Sequence, residues 1–217
     1  MIHKPILLLV CSIILSAANA QVNKVNSPNH KGVNRTKSGL ITAEPKQKTI
    51  LAIFPHPDDE TTIGEVVVKY RKLGYKVQLI IATDGKDGTR VTKIPAGDSL
   101  GMLRKEETRC ACKVIGVEPP IFLSVERLDT RHGVGKYFQS YKQLLTLLKQ
   151  KIDSIKPHFI ITFGPDGDTH HAEHIVCGAA VTEVLLMEKW VEKYPLYYIA
   201  WTEQQGKIFN LGYVNKA

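Results

Sequence analysis

His56-Pro57-Asp58-Asp59-Glu60 crowds one imidazole and three carboxylates onto five consecutive residues. Neighbouring carboxylates repel one another unless a cation draws them together. Imidazole and carboxylate are also a donor pair suited to zinc. His56 and Asp59 stand three apart, so a turn can aim both at one divalent ion and leave Asp58 unligated as a general base. Helix capping explains one aspartate, but not the whole cluster. A second group, His170-His171-Ala172-Glu173-His174, lies more than a hundred residues further on. At a helix start His171 and His174 share a face. Two histidines and one carboxylate with an open position form a catalytic zinc pattern that also suits iron(II). Glu173 can orient an imidazole or cap the helix, and His170 is read as structural or as a substrate contact.

Each group follows an apolar run, Thr49 to Phe54 for the first and His158 to Phe163 for the second. From Thr49 onward such runs alternate with amphipathic segments. Strands are expected over 49–54, 76–83, 120–125, 158–163 and 196–201, and helices over 60–73, 101–115, 137–155 and 173–193. Ile63, Val66, Val67 and Tyr70 mark one face of the first helix. Tyr137, Phe138, Tyr141, Leu144, Leu145, Leu148, Ile152 and Ile155 mark the third, which Pro157 ends. Strands apolar on both faces and separated by helices imply an α/β fold. The expectation is a Rossmann-like three-layer sandwich with a mostly parallel sheet of about five strands. The polar loops leaving the carboxyl edge carry His56, His132, His170, His171 and His174, whereas His158 begins a strand. Ligands bind at that edge in α/β proteins.

The formal charge of +8 invites a nucleic-acid reading. Most of the excess lies in residues 21–48, where Lys24, Lys31, Arg35, Lys37, Lys46 and Lys48 face Glu44 alone. Residues 49–217 are close to balanced and show no basic stripe interleaved with aromatics, so no nucleic-acid partner is expected. Residues 1–20 read as a cleaved secretory signal. Lys4 precedes the apolar run Ile6 to Leu15, and Ala18-Asn19-Ala20 is a small-x-small cleavage site. The run falls short of the roughly 20 residues that span a bilayer. A secreted or periplasmic protein without an integral membrane segment after cleavage is expected, with 21–48 a flexible basic leader and 49–217 one domain. Cys110, Cys112 and Cys177 then remain. They are read as small core residues, with a bridge from Cys110 or Cys112 to Cys177 left open.

In these motifs the chain resembles the LmbE-like, or PIG-L-like, family of zinc-dependent de-N-acetylases acting on N-acetylglucosaminyl substrates. Pro55 to Glu60 matches the family's (A/P)-H-P-D-D-E in full. Gly167 to His174 aligns with its G-x-x-G-H-P-D-H, with His170 for glycine, Ala172 for proline and Glu173 for aspartate. Thr83-Asp84-Gly85 resembles its T-x-G, Arg104 to Glu107 its R-x-x-E, and Asp129 its aspartate after the third strand. The resemblance implies zinc on His56, Asp59 and His174, with Asp58 as general base. It further implies that His171 stabilises the oxyanion or protonates the leaving amine, and that Arg104 and Asp129 bind sugar hydroxyls.

The expected function is therefore metal-dependent removal of an N-acetyl group from an N-acetylglucosamine-type sugar or glycoconjugate, releasing acetate. One rival is an amidase of the same fold acting on a larger amide conjugate. A non-catalytic extracellular sugar-binding module is another, but it has no need of an unligated Asp58 beside the metal. A dinucleotide-binding protein is excluded, because no G-x-G-x-x-G follows the first strand.

Overall fold

The structure, a computed structural model, describes residues 47–208. The expected signal segment, and all of the expected leader except Gln47 and Lys48, lie outside the described residues. Five strands, β1 (Thr49–Phe54), β2 (Lys76–Thr83), β3 (Ile121–Val125), β4 (Phe159–Phe163) and β5 (Leu196–Ile199), make one sheet in the order β3-β2-β1-β4-β5. Every neighbouring pair is parallel. Parallel neighbours need crossover connections. Four helices provide them: α1 (Gly64–Lys72), α2 (Asp98–Ile115), α3 (Val134–Ile155) and α5 (Ala172–Met187). The single turn α4 (Gly167–His170) precedes α5, and α6 (Glu203–Ile208) follows β5.

Successive side chains of a strand point to opposite faces, and β1 divides accordingly. Leu51 and Ile53 join Ile80, Leu144, Leu148, Ile152, Val181 and Leu185 in one core, beneath α3 and α5. Ile50, Ala52 and Phe54 join Ile63, Val67, Leu79, Ile81 and Cys112 in the other, beneath α1 and α2. The result is the expected three-layer sandwich. From β1 the chain adds β2 and β3 on one side, then crosses to add β4 and β5 on the other. Connections diverge where the strand order reverses, so a crevice opens at the carboxyl ends of β1 and β4.

Several local expectations change. The segment after β1 starts as a 3-10 turn (Asp59–Ile63) before α1, and Val66 is 37% exposed while Ile63 and Val67 are buried. Phe138 is 62% exposed because the buried stripe of α3 begins only at Ser140. The helix expected to reach 193 stops at Met187, β5 stops at Ile199, and α6 carried no apolar period to announce it. All three described cysteines are free. Cys112 and Cys177 lie in cores on opposite faces of the sheet, which rules out a bridge between them. Burial raises both thiols, Cys112 to about 12, so neither is a ready nucleophile. Cys110 is exposed, correcting its reading as a core residue. No helix among the described residues is long and apolar enough to cross a membrane.

Candidate active site

Pro55 leaves the sheet at the end of β1, and its carbonyl accepts both the amide (2.8 Å) and the hydroxyl (2.9 Å) of Thr83 at the end of β2. That clamp fixes where the His56 loop begins. The Asp59 Oδ2 atom accepts the His56 amide at 2.8 Å, folding the loop back so that ring and carboxylate sit side by side. From the far side, His171 caps the start of α5 and His174 lies one turn in. The His174 ring stacks on Phe163, the last residue of β4, at 4.0 Å and 4°.

One ring nitrogen from each of His56, His171 and His174 lies within 4.8 Å of the others, so the three can hold a metal ion. Asp59, 6% exposed, stands between two of them, with Oδ1 3.3 Å from His174 Nε2 and Oδ2 3.6 Å from His56 Nδ1. The outer nitrogens of both rings are engaged. His56 Nε2 lies 2.7 Å from Glu173 Oε2, and His174 Nδ1 lies 3.0 Å from the Gly167 carbonyl. Both partners are acceptors, so each outer nitrogen carries the proton. The inner nitrogens then turn lone pairs toward a buried carboxylate, which is repulsive unless a proton or a cation lies between. The donor chemistry fits a divalent cation, with Glu173 and the Gly167 carbonyl orienting the ligands from behind.

Protonation follows the same geometry. Burial pulls His174 down, but Asp59 and the Gly167 carbonyl outweigh it and raise its pKa. His171 is lowered by burial and by the neighbouring His56 and His174, and its Nδ1 accepts the Glu173 amide at 3.3 Å. A neutral His171 therefore presents Nε2–H as a donor. Burial opposes ionisation of Glu173, yet its hydrogen bond to His56 holds it below the ordinary glutamate value.

Asp58 differs from Asp59 in every respect. Its backbone is left-handed (φ 97°), a conformation that costs a non-glycine residue about 1–3 kcal/mol. Its amide donates to Glu60 Oε2 at 2.9 Å, and Arg104 Nη2 donates to the Pro57 carbonyl (2.6 Å) and to Asp58 Oδ2 (2.9 Å). Crowding of the loop raises the Asp58 pKa against the pull of Arg104; because 71% of the side chain meets solvent, that effect is screened. Arg104 Nη1 donates to the Gly85 carbonyl at 2.9 Å. Glycine suits position 85 because its φ is +62°, and a Cβ there would also displace the Arg104 guanidinium.

The family profile described as PIG-L, GlcNAc-PI de-N-acetylase, matches residues 51–185, a span that includes both histidine-bearing loops. The chain belongs to the PIG-L family. Among its relatives, a 1D-myo-inositol 2-acetamido-2-deoxy-alpha-D-glucopyranoside deacetylase of Mycobacterium sp. (strain KMS) is 27% identical over 70% of this chain and 54% of its own length. A probable N-acetyl-alpha-D-glucosaminyl L-malate deacetylase 2 of Bacillus subtilis (strain 168) is 31% identical over 64% of this chain and 62% of its own. The chain thus spans between half and two thirds of the length of these two relatives. The N,N'-diacetylchitobiose deacetylase of Pyrococcus horikoshii shares the fold, with TM-score 0.52 and 19% identity over 77% of this chain and 56% of that one.

Within the PIG-L pattern, the departures noted in the sequence acquire a geometry. His170, aligned with a glycine of the motif, has a left-handed backbone (φ 57°), a conformation that glycine adopts without cost. Glu173, where the family carries aspartate, bridges His56 Nε2 and the Leu128 amide (2.7 Å each). The structure brings His56, Asp58, Asp59, His171 and His174 to one crevice. Arg104 reaches it through Asp58. Asp129 stands further out, its carboxylate taken by Arg127 and Arg131. Asp84 ties Ser124 (2.9 Å) and Lys105 (2.8 Å), which orders the loop after β2. Arg127, Asp168 and Trp201 escaped sequence reasoning. Trp201 Nε1 donates to the buried Asp168 at the turn before His174. No motif or period marks any of the three.

Proposed function

We propose that this chain is a divalent-metal-dependent hydrolase that removes the N-acetyl group of an N-acetylglucosamine-type sugar or glycoconjugate, giving the free amine and acetate. The observation that carries the proposal is the meeting of His56, Asp59, His171 and His174, next in the chain to a solvent-exposed Asp58, in a PIG-L chain. Deacetylases of N-acetylglucosaminyl compounds among its relatives support the substrate class. His56, Asp59 and His174 would hold the ion, zinc by preference and iron(II) as the alternative. When bound, the ion supplies Lewis acidity to the reacting centre.

The side chains supply the rest. Asp58, tethered by Arg104 but open to solvent, accepts a proton from the attacking water and returns it to the amide nitrogen as the C–N bond breaks. His171 Nε2–H donates to the oxygen of the acetamide as negative charge develops there. Arg104 holds the Asp58 loop in its left-handed turn and has further N–H groups with which to meet a sugar hydroxyl. Asp129 lines the outer wall, where sugar hydroxyls would be received.

Acetate and free amine should be measured from a panel of N-acetylglucosamine derivatives, before and after chelation and after zinc is restored. Release that chelation abolishes and zinc restores is expected. Equal release in chelator would overturn the proposal, and cleavage confined to larger amide conjugates would convert it to the amidase reading.

A further inference from the structure

The loops after β2 and β3 and the first turn of α5 each send a carboxylate toward one guanidinium. Arg127, 11% exposed at its side chain, donates from Nη1 to Asp87 Oδ2 at 2.8 Å and from Nε to Asp129 Oδ1 at 3.0 Å. Its Nη2 atom donates to Asp129 Oδ2 and lies at ion-pair distance, 3.7 Å, from Glu173 Oε2. That same oxygen is the one that faces His56 Nε2 at 2.7 Å, while Glu173 Oε1 accepts the amide of Leu128, the residue after Arg127. Residues 127 and 128 together thus address both oxygens of a carboxylate that is almost wholly buried. A glutamate side chain has three rotatable bonds, and without the guanidinium beside Oε2 only the Leu128 amide would hold the carboxylate in place against His56. A rotated carboxylate would release His56. The planar fork of arginine hydrogen-bonds Asp87 and Asp129 while setting its charge beside Glu173, which the point charge of a lysine does not.

We infer that Arg127 is a positioning residue for the metal centre, acting through Glu173 to keep His56 in the tautomer whose Nδ1 lone pair faces Asp59. Its consequence for metal binding rests on the function proposed above, but the tautomer is a property of the metal-free protein. No motif carries Arg127; the assignment comes from the meeting of residues from two loops and the start of α5.

The test uses the full chain with 15N-labelled histidine, freed of metal, at a pH where the imidazoles are neutral. Two-bond nitrogen–proton spectra should show His56 of the unaltered protein with its proton on Nε2. Arg127→Gln should mix the two His56 tautomers and leave His174, anchored by the Gly167 carbonyl, as it was. In zinc competition Arg127→Gln should bind about 10-fold to 100-fold more weakly, and Arg127→Gln combined with Glu173→Gln should bind no more weakly than Glu173→Gln alone. An unshifted His56 signature in Arg127→Gln, or additive losses in the double variant, would overturn the assignment. If circular dichroism shows Arg127→Gln unfolded, Arg127→Lys carries the test: a partial shift of His56 supports the role and an unshifted signature ends it. If the unaltered protein binds no divalent ion while His56 still responds to Arg127, the positioning role stands and the metal reading falls.

Discussion

Asp58 and Asp59 are adjacent in sequence and opposite in surroundings. Asp59 is buried between two imidazoles, whereas Asp58 faces solvent on a left-handed turn tied down by Arg104. Under the proposed function, that contrast separates the ligand from the base. Asp58→Asn should retain full metal content by elemental analysis and lose about 10²–10⁴-fold in turnover; wild-type rates would remove Asp58 from the role. His174→Ala removes a ligand and the stacking on Phe163, so the purified protein should contain little metal. Stoichiometric zinc in that variant would defeat the ligand assignment. At this scale the sequence was informative about which residues meet, since His56, Asp59, His171 and His174 come from two polar groups that each follow an apolar run. It was silent on Arg127, whose partners Asp87, Asp129 and Glu173 come from two loops and the first turn of α5.

Helix α5 carries His171 at its cap and His174 in its first turn, so its seat on the sheet sets the metal geometry. Gly178 forms that seat. A Cβ there would lie 2.2 Å from the Phe163 carbonyl oxygen, backbone against backbone with no flexible atom to yield. Gly178→Ala should push α5 off β4, destabilise the fold by about 1–3 kcal/mol and weaken zinc binding in parallel. Urea unfolding of the metal-free protein reads the first effect, and an unchanged midpoint would show that the contact is relieved cheaply. A helix over this stretch was expected from the sequence, but its close approach to β4 was not legible, since a helical glycine alone reads only as a weak position. Likewise Val66 and Phe138 fit a helical stripe by spacing yet lie outside the contact, because a stripe says which residues align and not how far the neighbouring layer extends.

Across the whole molecule the loops after β2 and β3 are pinned by charge, together with the buried Leu128. Arg127 holds the Asp129 carboxyl down at about 2, below the ordinary value of 3.8. A lowered carboxylate stabilises the folded state above the unfolded-state pKa and loses that contribution as pH falls toward the folded one. Asp129→Asn should therefore cost about 1–2 kcal/mol at neutral pH, with the difference shrinking between about pH 4 and pH 2. Urea titrations of metal-free protein at several pH values would check this, and a pH-independent difference would refute it. Metal bound only by the folded state should also raise the thermal midpoint, with the logarithm of its free concentration once that exceeds the dissociation constant.

Local order was legible because it depends on neighbours in the chain. Apolar runs of strand length, helical stripes and the Pro55–Glu60 and Gly167–His174 motifs each declare themselves within a few residues, and alternation of strand and helix dictates a parallel sheet. The placing of β4 beside β1 was a tertiary matter, and it is what joins the two histidine groups. So were the tautomers of His56 and His174, the partners of Arg104 and the reach of Arg127. Each depends on the direction of a donor or acceptor from a distant loop, and direction through space is information that composition and spacing do not hold.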